Sequence, residues 1–235
     1  MTSDRKDDPG ASVVFGASGG IGSALLAELG SRRAGAPVLG LSRRGDPPLD
    51  LQDETSIAAA VAKAADLGEI RLAVISTGAL HAPGLAPEKS LTRMTPEGLA
   101  AAFAINTIGP ALILKHLAPH LPRRGRVLVA ALSARVGSIG DNRLGGWYGY
   151  RASKAALNQV IRTASIELAR RNPEVLCVAL HPGTVATSLS RPIVGNDPAA
   201  QAPGDAARRL LDVLDGLAPG DNGRFFDVRG EPVPW

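Results

Sequence analysis

The sequence predicts an α/β fold, a doubly wound parallel sheet with helices on both faces. Three observations point there. Short apolar runs alternate with longer stretches of helical periodicity along the whole chain. The runs are apolar at nearly every position and not at every second one, so both faces of their sheet must be covered. The first run also opens directly onto a glycine-rich turn that enters a helix, as strand-to-helix connections of such sheets do.

The elements follow in order. Ser12-Val13-Val14-Phe15 is the first strand, and residues 20–33 carry Ile21, Leu25, Leu26 and Leu29 at helical spacing. Val38-Leu39-Gly40-Leu41 is the second strand, stopped by Ser42-Arg43-Arg44-Gly45, and residues 54–66 read as a helix. Leu72 to Ile75 is the third strand, ending at Ser76-Thr77-Gly78, and residues 79–94 are irregular. One long helix is expected from Pro96 to His120, kinked at Gly109-Pro110. Val127 to Leu132 is the fourth strand, Ser133 to Trp147 a glycine-rich loop, and Tyr148 to Arg171 an Ala-rich helix. Val175 to Leu180 is the fifth strand, closed by His181-Pro182-Gly183. Loop-like residues 184–203, a helix from Pro203 to Leu217 and a strand from Arg224 to Val228 complete the chain.

Composition narrows the function. The 235 residues suit one large domain, expected over 12–235 after a disordered polar tail at 1–11. Aromatics are only 3%, so Ala, Val, Leu and Ile must pack the core. Twenty-six basic against 22 acidic residues give +4, with no basic run interleaved with aromatics, so no nucleic-acid partner is expected. Cys177 is the single cysteine and reads as a small core hydrophobe. His81, His116, His120 and His181 lack metal-ligand spacing, so no metal is expected. The charged start is no signal peptide, and no apolar run reaches the length of a membrane span; a cytoplasmic chain with no membrane partner is expected.

The chemistry begins at the first turn. Gly16, Gly20 and Gly22 are spaced Gly-x3-Gly-x-Gly between strand and helix. A helix N-terminus there offers free N–H groups to a phosphate, and glycines let the backbone approach it. Ser18 lies in the turn and Ile21 can point back to the core. Gly16 to Gly20 also meets the Gly-x-Ser-x-Gly pattern of a hydrolase nucleophile, but such a serine follows a middle strand, not the first. After the second strand an acid would favour a free ribose 2′-hydroxyl; Arg43 and Arg44 favour a 2′-phosphate, hence NADP(H) over NAD(H). Asp50 and Leu51 are placed to flank the adenine ring. Tyr150 and Lys154, four apart on one helix face, could pair an acid/base phenol with an ammonium that lowers its pKa, or be an ordinary surface pair.

Taken together these motifs resemble the short-chain dehydrogenase/reductase family, in order and over residues 12 to 228. Gly16-x3-Gly20-x-Gly22 resembles its cofactor turn, Asn106 in Ile105-Asn106-Thr107 its helix asparagine, and Tyr150-Arg151-Ala152-Ser153-Lys154 its Tyr-x3-Lys. His181-Pro182-Gly183-Thr184-Val185-Ala186-Thr187 resembles its Pro-Gly loop. Ser133 to Lys154 is most similar to the branch of sniffer-type carbonyl reductases and bacterial C-factor proteins. The resemblance implies a single-domain Rossmann-like fold and hydride exchange between NADP(H) and a small carbonyl or alcohol. It implies that Tyr150 protonates the substrate oxygen, Lys154 binds the nicotinamide ribose and lowers the tyrosine pKa, Asn106 holds a water, and Val185 and Thr187 hold the nicotinamide carboxamide. It implies too a homodimer or homotetramer, built on the two long helices.

The sequence departs from the family at three places. Ser133 is the expected substrate-binding serine but lies unusually far before Tyr150; Ser138 is the alternative, and Ala134 stands where many relatives carry a second serine. Ser76-Thr77-Gly78-Ala79 replaces an asparagine-rich turn, so Gly78 still admits adenosine but the sheet needs another brace. Gly19 replaces a basic residue of some NADP-dependent relatives, which leaves the 2′-phosphate to Arg43. Trp147, Tyr148 and Leu189 are expected at the active-site mouth, with residues 186–202 a candidate lid. A second functional class, an NADP(H)-binding sensor or signalling protein, would need no acid/base set.

Overall fold

The computed structural model describes residues 10–81, 86–195 and 197–235. Six strands form one sheet: β1 (Ala11–Phe15), β2 (Val38–Leu41), β3 (Ile70–Ile75), β4 (Val127–Leu132), β5 (Val175–His181) and β6 (Phe225–Asp227). Their order is β2-β1-β3-β4-β5-β6, and every neighbouring pair is parallel. The fully apolar strands are explained by two cores. Alternate residues face opposite sides, so Val13 and Val14 belong to different clusters.

On one face lie α1 (Gly20–Arg32) and α7 (Pro203–Gly216), whose Leu25, Leu29, Leu210 and Leu214 pack on Val14, Val74 and Val178. On the other lie α2 (Glu54–Ala65), α4 (Gly109–Leu117) and α5 (Tyr148–Arg171). There Ile57, Ile113, Leu117, Leu157 and Ile161 cover Val13, Ala73, Val129 and Cys177. Each such side chain contributes roughly 1.5–3 kcal/mol on burial. Burial pushes the Cys177 thiol up to about 12, consistent with a core hydrophobe.

The differences from expectation are local. β1 starts at Ala11, inside the segment read as a tail; residues 1–9 lie outside the described residues. β3 starts two residues early, and β5 takes in His181. Pro96 to His120 is not one α-helix. It runs as α3 (Pro96–Phe103), a π turn over Ala104–Ile108, α4 and a 3-10 turn over Ala118–His120. The break therefore precedes Gly109-Pro110. Pro110 lies in the first turn of α4, where a missing N–H costs nothing. Gly109 serves packing, because a Cβ there would lie 2.7 Å from that of Leu51.

The same segment corrects the expectation about apolar length. By length and composition Pro96–His120 could cross a membrane, with a mean hydropathy of 1.5. In this fold its Ile113 and Leu117 are fully buried against the sheet. The loop at 184–203 contains one further helix, α6 (Arg191–Val194); Asn196, within the candidate lid, lies outside the described residues.

Candidate active site

The strand order reverses between β1 and β3, and connections leave the carboxyl ends of these two strands in opposite directions. A crevice opens there, the usual ligand site of such sheets. Its floor is the glycine turn. Gly16 has φ 89°, a left-handed conformation, and Gly22 is confined by Gly16, whose carbonyl oxygen would lie 2.2 Å from a Cβ. No side chain caps α1 at Gly19, so its first N–H groups remain available to an anion.

A cleft of about 310 Å³ runs from this turn across the sheet edge. It gathers Gly16, Ser18, Arg43, Asp50, Leu51 and Gly78, all expected cofactor contacts. Arg43 is exposed and makes no ion pair among the described residues; Arg44 does not line the cleft. Ile21 turns inward and packs beside the α1 core. The sheet brace missing from the Ser76-Thr77 turn is supplied by Ser76, whose Oγ donates to the Phe15 carbonyl at 2.8 Å. Thr77 Oγ1 is buried without a partner in the same cleft.

The lining of this cleft reaches Ala79, and that of a second one takes up at Leu80. Gly78 lies close to the polar groups between them. A Cβ there would lie 3.3 Å from both Asn106 Oδ1 and Lys154 Nζ. Asn106, on the π turn, is spent on the backbone. It accepts from Ala79 N–H at 2.8 Å and donates to the Ala79 carbonyl at 2.9 Å and to Ser153 Oγ at 3.3 Å. Its side chain therefore pins the β3–α3 loop to α5. Lys154 is buried and donates to the Leu132 carbonyl at 2.8 Å. Burial pulls its ammonium down to about 8.

Tyr150 stands one helical turn before Lys154, at the start of α5. Its hydroxyl is pushed up to about 12 by burial, the opposite of the lowered value expected from the neighbouring ammonium. Trp147 holds the tyrosine ring edge-on at 6.3 Å. Trp147 itself has φ 54° and follows Gly145 and Gly146, both also left-handed. This strained lead-in is fixed by Glu88: its backbone carbonyl accepts from Trp147 N–H, and its buried carboxylate accepts from Gly149 N–H at 3.1 Å. An acid thus caps α5 from a distant loop.

The second cleft, about 440 Å³, is lined by Tyr150, Trp147, Ala134, Arg135, His181 and Val185, among others. Ser133 is not in its lining. Its hydroxyl donates to Asn158 Oδ1 at 2.6 Å, inside the α5 packing. Ser138 is also turned away, accepting from Asp141 N–H and donating to the Trp235 carbonyl. Where a serine was expected, the cleft has the methyl group of Ala134. Ser133 continues the β4 face that points at α5 and is held there by Asn158, while the next residue, Ala134, lines the cleft.

The Pro-Gly loop closes the far side. Gly183 has φ 75°, and Gln201 ties this loop down by donating to the Pro182 carbonyl at 2.6 Å. Val185 is buried beside Gln201. Thr187 packs on the glycine turn, its Cγ2 lying 2.7 Å from where a Cβ of Gly20 would be. The structure thus brings Gly20 and Thr187 together, and so Tyr150, Lys154 and Asn106. Sequence reasoning missed Glu88, Asn158, Gln201 and the cleft position of His181. The first three act through contacts 61, 25 and 19 residues away in sequence. Among the described residues no group of three His, Cys, Asp or Glu could hold a metal ion.

A family model described as enoyl-(acyl carrier protein) reductase matches residues 16–209. The C-signal protein of Myxococcus xanthus is 42% identical over 137 residues, 58% of this chain and 78% of that protein. The 1-hydroxy-2-glutathionyl-2-methyl-3-butene dehydrogenase of Rhodococcus sp. (strain AD45) is 29% identical over 232 residues, covering 95% of this chain and 98% of its own. The NADPH-bound carbonyl reductase from chicken fatty liver superposes with a TM-score of 0.80 at 26% identity, covering 96% of this chain and 98% of that chain. The chain belongs to the short-chain dehydrogenase/reductase family of oxidoreductases.

Proposed function

We propose that this oxidoreductase interconverts a carbonyl and an alcohol using NADP(H), with Tyr150 as its acid/base. One observation carries the reading: an anion-ready cleft whose lining reaches Ala79 adjoins a tyrosine-bearing cleft whose lining takes up at Leu80, with Gly78 close to Lys154 and Asn106. The residues fit a phosphorylated dinucleotide. The α1 N-terminus is uncapped, Gly16 adopts its left-handed turn, Thr77 offers a partnerless buried hydroxyl, and Arg43 makes no ion pair among the described residues. The chicken enzyme is named as NADPH-bound, and the Rhodococcus relative is named as a dehydrogenase; both names agree with this reading.

NADP(H), when bound, supplies or takes up the hydride. Gly16, Ser18, Gly20 and Gly22 hold the pyrophosphate at the α1 N-terminus, and Arg43 pairs with the 2′-phosphate. Asp50, Leu51 and Gly78 border the adenosine, while Pro182, Gly183, Val185 and Thr187 border the nicotinamide. Lys154 binds the ribose. Tyr150, which keeps its proton at neutral pH, gives it to the oxygen of a carbonyl substrate or regains it from an alcohol. Asn106 acts as a positioning residue through Ala79 and Ser153.

Titration with NADPH and NADH, followed by nucleotide fluorescence, tests the cofactor assignment. The wild-type protein binds NADPH more tightly, and Arg43→Ala loses on the order of ten-fold in NADPH affinity with little change for NADH. An equal loss for both, or a native preference for NADH, would remove Arg43 from the 2′-phosphate site.

A further inference from the structure

We propose that His181 hydrogen-bonds the substrate oxygen beside Tyr150, through Nε2–H, and so supplies the donor that Ala134 cannot. This rests on the function proposed above and assigns one more residue to the same cleft. Several other polar side chains in and beside the cleft are already engaged. Arg135 is shared between Asp141 and Asp227, at 3.3 and 3.2 Å. Arg151 donates to the carbonyls of Gly145, Gly146 and Val136. Ser190 is held by the Val185 carbonyl. Ser133 on the neighbouring strand is committed to Asn158.

His181 is different. It is the last residue of β5 and lies in register with Asp227 of β6. Its side chain continues the row of Cys177 and Ala179, which face the α5 side of the sheet, and the residue lines the cleft that Tyr150 lines. Yet its side chain makes no hydrogen bond among the described residues. Nδ1 is sealed from solvent without a partner, while Nε2 is neither sealed nor engaged. Burial, with the Arg135 guanidinium beside it, holds the imidazole down at about 4, so the ring is neutral and has a single N–H.

The placement of that proton follows from cost. A buried N–H without an acceptor is rarer in folded proteins than a buried acceptor without a donor. The proton therefore sits on Nε2, the nitrogen open to a ligand. A carbonyl oxygen has two lone pairs; one takes the hydrogen bond of Tyr150 and the other that of His181. In reduction, hydride adds to the carbonyl carbon as the C=O π bond breaks, the nicotinamide is oxidised, and the oxygen takes the Tyr150 proton. His181 keeps its own proton throughout and stabilises the charge developing on oxygen, as a preorganised neutral donor does.

The test uses purified full-length protein with NADPH, and 9,10-phenanthrenequinone and 4-nitrobenzaldehyde as probes. His181→Leu lowers kcat/KM on the order of 100-fold, with NADPH affinity unchanged. His181→Gln, which keeps an N–H donor, retains most activity. Adding Ala134→Ser to His181→Leu restores a hydroxyl at the strand end and recovers about ten-fold. Recovery by either donor is a result that a purely structural role of His181 does not produce. A His181→Leu protein within about two-fold of wild type, a difference too small for a lost hydrogen bond, overturns the proposal while leaving the function standing. So does a loss that neither glutamine nor serine repairs. A wild-type protein that never oxidises NADPH overturns the function and this role together.

Discussion

Lys154 shows how much of a site's chemistry is set by the burial of one side chain. Its folded value, about 8, lies below the ordinary 10.5, so folding opposes its charge. That cost is fully present below pH 8 and fades as the pH rises toward 10.5. Lys154→Met should therefore stabilise the nucleotide-free protein at pH 7 by up to about 3 kcal/mol while abolishing turnover, and the gain should shrink at pH 10. Thermal melts at the two pH values measure it; a fall in Tm at pH 7 would mean that the hydrogen bond to Leu132 outweighs burial. Tyr150, pushed up to about 12, is a ready acid at neutral pH, and its use as a base should rise toward alkaline pH. These two residues, with Asn106, were picked out from the sequence only with the help of the family resemblance. The direction of Ser133 was not legible, because spacing along a chain does not say which side of a strand end a hydroxyl faces. Here it faces Asn158, and Ala134 has the cleft.

At the scale of elements, the sequence announced strands and long helices well, because apolar periodicity is a local signal. Val127–Leu132 and Tyr148–Arg171 fall where they were expected. The π turn at Ala104–Ile108 left no such signal; Gly109 and Pro110 drew attention to a site four residues too late. The start of α5 also depends on something distant. Its Trp147 lead-in is left-handed, and the Glu88 carboxylate caps Gly149, one residue before Tyr150. Glu88→Ala should cost about 1 kcal/mol of stability and lower kcat more than it weakens NADPH binding. Denaturant melts and steady-state rates check both halves. An unchanged kcat would mean that α5 begins correctly without this cap.

For the molecule as a whole, the parallel sheet and its two covered faces were readable from uniformly apolar strands. The placing of two clefts side by side across Ala79 and Leu80 was not, since it depends on how β3, the π turn and α5 converge. A groove of about 480 Å³ between α4 and α5 is lined by Ala111, Leu114, Val160, Ala164 and Leu168, flanked by Lys115 and Glu167. We propose that a second copy of this chain covers it, making a homodimer or homotetramer as the family resemblance implies. Light scattering should give a mass of two or four chains, and Val160→Glu should lower it; a wild-type mass of one chain would refute the assembly.

The central claim, that Tyr150 is the acid of an NADPH-dependent carbonyl reduction, is tested most directly by following NADPH absorbance with carbonyl probes for wild type and Tyr150→Phe. The wild-type protein should oxidise NADPH, the variant should lose at least about 100-fold in kcat, and NADPH affinity should be equal in both. Turnover by Tyr150→Phe at the wild-type rate would contradict the claim.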